Sequence, residues 1–143
     1  MSVDRFELPT WECYDLARSS PFGRLCVNDN GTPIALPINF RFTTPEEGNE
    51  VVIRTAANTI IGSYEGPASL EIDDVDLDAN KAWSVLVRGT LRRVRGDHHL
   101  VDPKPLLDDR HLWMVLKVTA VSGRRFTVRR AADGFSVEWS ISG

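Results

Sequence analysis

Cysteine is nearly absent from this chain, with Cys13 and Cys26 the only two in 143 residues. They form neither a Cys-x-x-Cys pair nor a repeating framework, so nothing points to a disulfide-stapled scaffold, and a reduced cytoplasmic setting is expected. Long apolar runs are missing too. No window approaches the roughly 20 apolar residues that cross a bilayer. The opening MSVDRFELPTWECYDL carries acidic residues where a signal peptide has a basic head. A soluble protein without a membrane partner is the expectation. Excess charge of one sign is lacking as well: the net charge of −3 gives no basis for bulk nucleic-acid affinity. The clusters Arg92-Arg93-Arg95 and Arg124-Arg125-Arg129-Arg130 read as a solvated rim, because no recognition helix or RNA-binding aromatic signature accompanies them.

Familiar catalytic motifs are absent in turn. There is no P-loop, no Gly-x-Ser-x-Gly and no Gly-x-Gly-x-x-Gly. Asp74, Asp76 and Asp78 mimic the opening of a calcium loop, but Ala79 replaces its turn glycine and Val85 its bidentate Glu, so the acidic run reads as a solvated loop. His98 and His99 are adjacent and diverge on either a strand or a helix, with His111 distant, so no metal site is expected.

What is present is strand. Apolar residues at 42% and charged residues at 26% are ordinary globular values, so one domain spanning 1–143 with its own core is expected. A single helix is signalled near the start, with Thr10 as its cap, Cys13, Leu16 and Ala17 on one face, and Ser19-Ser20-Pro21 as its end. Asn28-Asp29-Asn30-Gly31 is a hairpin turn between strands Phe22–Val27 and Pro33–Phe42, and Pro33 and Pro37 place the second of these at an edge. Further strands are read at 51–53, 68–72, 83–94, 113–121 and 125–129, with Ser122-Gly123 joining the last two and an alternating tail at 135–141. Ala56 to Tyr64 is a candidate short helix, and Asp97 to Asp109 a polar loop. Gly89, in mid-strand, marks a bulge or a close backbone approach. Many short strands and few helices predict a closed or partly closed barrel.

The chemistry concentrates where Val51-Val52-Ile53 ends in Arg54-Thr55, followed by a loop of small residues. A strand end that brings a guanidinium, hydroxyls and backbone N–H groups together suits an anion, above all a phosphate. The bland alternative for Arg54 is a surface ion pair with Glu71 or Asp73; for Trp83 it is a core or interface anchor.

GRLCVNDNGTPIALPINF, IRTAANT, ASLEIDDVD, WSVLVRG and VSGRR, in that order, resemble the pyridoxamine 5′-phosphate oxidase-like family of flavin-binding split barrels, in the small form found in actinobacteria. The resemblance implies a mainly β fold, a six-stranded antiparallel split barrel of the FMN-binding type with flanking helices, paired into a homodimer with cofactor sites at the subunit interface. It implies that Arg54 and Thr55 hold the FMN phosphate with help from Asn58, Thr59 and nearby backbone N–H groups. Asn39, Trp83 and Ser84 match regions that line or approach the flavin ring, some from the partner subunit. Where FMN-holding members follow the Thr with Lys or Arg, this chain has Ile60 and Ile61, and Arg88 is the candidate replacement cation. The implied activity is flavin-dependent oxidoreduction of a small molecule. The alternative is a non-catalytic dimer that binds a deazaflavin or haem, or that has lost its cofactor. No side chain stands out as an obligate acid or base.

Overall fold

A computed structural model describes residues 7–44, 49–55, 59–94, 112–132 and 134–138. The fold is mainly β, with one α-helix among the described residues. Helix α1 spans Thr10–Arg18. Its cap is Pro9, not Thr10: the Pro9 carbonyl accepts the N–H groups of Glu12 and Cys13 at 3.0 and 3.1 Å, while Thr10 has already entered the helix and makes no side-chain cap. Cys13 and Ala17 are buried as the spacing requires. The Cys13 sulfur sits over Gly123, where an added Cβ would lie 2.8 Å from it.

Strand β1 (Phe22–Asp29) turns through Asn30-Gly31 into β2 (Thr32–Asn39). Both turn residues have positive φ, 50° and 89°, as a two-residue hairpin of this hand demands. Strand β2 pairs with β1 alone, so Pro33 and Pro37 do occupy an edge. After Phe40 the chain resumes as β3 (Arg41–Phe42), which pairs with β4 (Glu50–Thr55). A single 3₁₀ turn, Ile61–Ser63, stands within the segment read as a short helix. Then follow β5 (Gly66–Asp76), β6 (Lys81–Val94), β7 (Leu112–Ala131) and β8 (Gly134–Glu138). All pairings are antiparallel, in the order β2-β1-β5-β6-β7-β4-β3, with β8 also on β7. No ladder joins β2 to β3 or β4 among the described residues. The sheet is therefore not closed: its two end strands, β2 and β3, are successive stretches of chain separated only by Phe40, the open form of a split barrel.

Two expectations are corrected. Ser122-Gly123 is no turn: β7 runs unbroken for 20 residues, with Ser122 opposite Leu86 and Gly123 opposite Val85. The glycine is there for close packing, since α1 leaves no room for a side chain. The acidic run is a loop only at its end. Asp74 and Asp76 belong to β5 and Asp78 to the turn after it, all three exposed, and Asp76 Oδ1 accepts the Ala79 N–H of that turn at 3.1 Å.

The barrel interior holds Leu25, Ile53, Leu70, Ile72, Val85, Val87, Leu91, Met114 and Leu116, all essentially inaccessible. Val85, Val87 and Leu91 point inward and Arg88 and Arg92 outward, as their alternation predicts. Gly89 meets both expectations at once. The β6/β7 register slips between Arg88 and Gly89, leaving Thr119 as the extra residue of a bulge, and a Cβ on Gly89 would lie 2.0 Å from the Lys117 carbonyl oxygen. The slip also shifts the inward parity of β7, from Met114, Leu116 and Val118 to Val121 and Gly123.

No described helix is long and apolar enough to cross a membrane. The histidines, the loop read at 97–109 and the end of the alternating tail lie outside the described residues.

Candidate functional site

A cavity of about 300 Å³ opens where β2 and β4 run side by side without pairing. One wall is the end of β2, from Leu36 to Asn39; the other is the end of β4, Arg54 and Thr55, followed by Thr59, Ile60 and Ile61. The sequence reading named Asn39, Arg54, Thr55 and Thr59 together, and the fold brings these four to one place.

Each is held. Arg54 stands opposite Trp113 in the β4/β7 ladder, with its guanidinium carbon 5.5 Å from the centre of that ring, a cation–π arrangement. Its Nε is buried and meets no acceptor among the described residues, while the guanidinium as a whole is engaged. Thr55, 4% exposed, and Thr59 bring their hydroxyl oxygens within 2.8 Å of each other. Thr59 Oγ1 also accepts the N–H of Gly62 at 3.1 Å, so it caps the 3₁₀ turn and fixes where the loop ends. Behind that turn, Arg93 donates to the Gly62 carbonyl at 2.7 Å. The Asn39 amide donates to the Pro21 carbonyl at 3.0 Å, which fixes its orientation at the cavity rim. Ile60, 39% exposed, presents an apolar side chain to the same space.

The other named residues lie elsewhere on this chain. Trp83, packed partly against the core, lines a second groove of about 400 Å³ with Phe22, Arg24, Asp73, Asp74 and Val75. Ser84 is half-buried on β6 between Asp73 and Arg124 and lines neither space. Arg88 is exposed on the outer face of β6 and does not line the first cavity, so within one chain it does not replace a cation at Ile60. Asn58 lies outside the described residues. The proposed bland partners of Arg54 are taken by another arginine: Arg24 Nη1 sits 2.9 Å from both Glu71 Oε1 and Asp73 Oδ2. Burial, together with a hydrogen bond and repulsion from Asp73, outweighs that arginine and pushes Glu71 from an ordinary 4.5 up to about 7.

Sequence reasoning missed the apolar wall of Leu36, Pro37 and Ile38, and Trp113 beneath Arg54. The edge-strand prolines were a usable signal for the wall, since a proline-bearing flank cannot ladder and leaves a gap beside it. No metal-binding group of three or more His, Cys, Asp or Glu exists among the described residues.

A guanidinium beside two hydroxyls, at a strand end with an apolar wall, is a donor set that suits an anion. None of the curated proteins matches the chain. Among solved structures, the FAD binding protein from Mycobacterium smegmatis is 31% identical, over 84% of this chain and 96% of that one, with a TM-score of 0.66. A putative pyridoxamine 5′-phosphate oxidase from Corynebacterium glutamicum is 25% identical, over 91% of this chain and 99% of that one, with a TM-score of 0.69. The FAD and Heme binding protein from Mycobacterium smegmatis shares the fold, with a TM-score of 0.65 at 16% identity, over 94% of this chain and 84% of that one. The family model described as pyridoxamine 5′-phosphate oxidase matches residues 9–125, from the start of α1 into β7. On that match the chain belongs to the pyridoxamine 5′-phosphate oxidase-like family.

Proposed function

We propose that the protein binds a flavin nucleotide, with the phosphate end in the β2/β4 cavity, and uses it as an oxidoreductase acting on a small molecule. The observation that carries this reading is the convergence of Arg54, Thr55 and Thr59 on one cavity beside Asn39. The 31%-identical FAD binding protein from Mycobacterium smegmatis supports it. Arg54 supplies the charge and planar donor fork for phosphate oxygens, and the Trp113 ring steadies that fork from one side. The Thr55–Thr59 hydroxyl pair sets the position of the loop around the anion. Leu36, Ile38 and Ile60 keep water from the rest of the cavity, which strengthens the Arg54 charge locally. The bound isoalloxazine supplies the redox chemistry. The reading extends to a homodimer in which Trp83 and Ser84 serve the cofactor held by the other copy, as the family resemblance implies.

Absorption spectra of the purified protein, followed by titration with FMN and FAD, test the reading. Flavin bands, or saturable uptake of either flavin, are expected. Arg54→Ala is expected to weaken uptake about 10- to 100-fold, the worth of a charge-assisted hydrogen bond. A colourless protein that takes up neither flavin would leave the non-catalytic barrel as the better account, and a single band in the 400–420 nm region (approximate for a deazaflavin or haem chromophore) would replace flavin with one of those.

A further inference from the structure

Phe22 is an aromatic residue with no part in the core. Gly23, Leu25 and Val27 are the buried residues of β1, so Phe22 shares the outer face with Arg24 and Cys26. It is 47% exposed, belongs neither to the core cluster nor to the residues packed against it, and meets no other aromatic ring among the described residues. Its backbone is nevertheless fixed, because its carbonyl accepts the Ser20 hydroxyl at 3.0 Å. A lone exposed apolar residue is ordinary on a protein surface. The position of this one is not.

In the β1/β2 ladder Phe22 stands directly opposite Asn39. Opposite residues of an antiparallel pair share a face, with Cβ atoms about 4.5–5.5 Å apart. Asn39 is the rim of the β2/β4 cavity, and its amide is drawn toward β1 by its bond to the carbonyl of Pro21, the residue before Phe22. On its other side Phe22 lines the second groove, with Val75 and Trp83. Phe22 therefore stands between the two spaces, one strand beyond the β2 wall of the cavity. Arg54 on the opposite wall also faces outward, since Ile53 before it is in the core. Cation, amide and exposed ring thus follow one another across neighbouring strands: Arg54 on β4, Asn39 on β2, Phe22 on β1.

That order suits a ligand with an anionic end, a polar tether and a planar apolar end. A flavin nucleotide has this form, in its phosphate, polyol chain and isoalloxazine. An aromatic face left in water gains contact area and a favourable ring geometry by stacking on such a plane.

Resting on the reading of the cavity as the phosphate anchor, we infer that Phe22 is the stacking platform for the isoalloxazine of the flavin held by Arg54 of the same chain. Asn39 then lies beside the polyol chain, between the two ends.

Fluorescence titration with FMN and with riboflavin, which has the ring and tether but no phosphate, separates the two ends. Phe22→Ala is expected to weaken both by the same factor, about tenfold, the worth of one stacked ring with its buried area. Arg54→Ala is expected to weaken FMN and to spare riboflavin. Emission of bound FMN is expected to be quenched in the wild type, brighter in Phe22→Ala, and quenched again in Phe22→Tyr, which restores a ring. Phe22→Leu keeps apolar bulk without a ring and gives the same answer should the alanine variant not fold, with circular dichroism checking each variant. Bound FMN as bright as free FMN in the wild type would overturn the inference. So would a folded Phe22→Ala that binds FMN and riboflavin as the wild type does; a fall in its mass in solution would then mark Phe22 as a contact between copies. A loss confined to FMN would put Phe22 at the phosphate end and overturn the inference as well. Each of these outcomes leaves the flavin reading intact. Failure of FMN, FAD and riboflavin alike to bind the wild type would overturn both.

Discussion

Thr59 does two jobs with one oxygen, accepting the Gly62 N–H and meeting the Thr55 hydroxyl. Thr59→Val keeps the shape and removes both contacts. Loss of a cap of this kind costs about 1 kcal/mol, so a modest fall in the urea midpoint is expected together with weakened flavin uptake; unchanged uptake would show that the loop does not depend on this bond. Glu71 makes a second prediction at this scale. Its folded-state pKa of about 7 exceeds the ordinary 4.5, so the folded protein keeps a proton that the unfolded chain releases between those values. Stability from this group is then complete below pH 4.5, declines as pH rises to about 7, and is flat above. Glu71→Gln should flatten the curve of urea midpoint against pH across that window and raise the midpoint above it. Arg54 and Thr55 were legible in the sequence because a cation and a hydroxyl at a strand end are local features. Trp113 under Arg54, and Arg24 between Glu71 and Asp73, were not, because each depends on which distant strand lies alongside.

At the level of elements, the patterns with a local cause were readable. The Asn30-Gly31 hairpin, the edge prolines of β2 and the inward face of β6 all follow from turn chemistry and alternation. Strand β7 was not readable as one piece, because Gly123 has the composition of a turn and the role of a docking site for α1. The acidic end of β5 was hidden for a related reason: its charges are tolerated on an outer face, where Arg24 answers Asp73. Gly89 supports a sharper test. Its missing Cβ leaves 2.0 Å to a backbone oxygen that is fixed by the ladder. Gly89→Ala must part β6 from β7, and overpacking of this kind costs about 3 kcal/mol. Chemical denaturation should show a loss near that size, and a neutral result would mean that the bulge can migrate.

Considered whole, the molecule is two two-stranded units on one meander. Strands β1 and β2 form one unit and β3 and β4 the other, and β5 to β8 form the meander, each built from pairings between sequence neighbours. They join along two seams, three residue pairs between β1 and β5 and six between β4 and β7. The shorter seam contains the Arg24–Glu71 pair, so amide exchange at Cys26 and Leu70 is expected to outpace exchange at Val51 and Ile53, and, after correction for the intrinsic pH dependence of exchange, to gain on it as pH rises from 4.5 to about 7. Equal protection on both seams would contradict this. The unpaired flank between β2 and β4 has a practical consequence of its own. A molecule lodged there fastens together two strands that no ladder links, and it binds only when the β1/β2 and β3/β4 units are both in place on the meander. Occupancy is therefore legible as heat resistance: a ligand at a hundred times its Kd adds about 2.7 kcal/mol, a rise in melting temperature on the order of 10 °C for a domain of this size. A melting-point screen of colourless compounds would then find substrates and competitors that an absorption spectrum passes over.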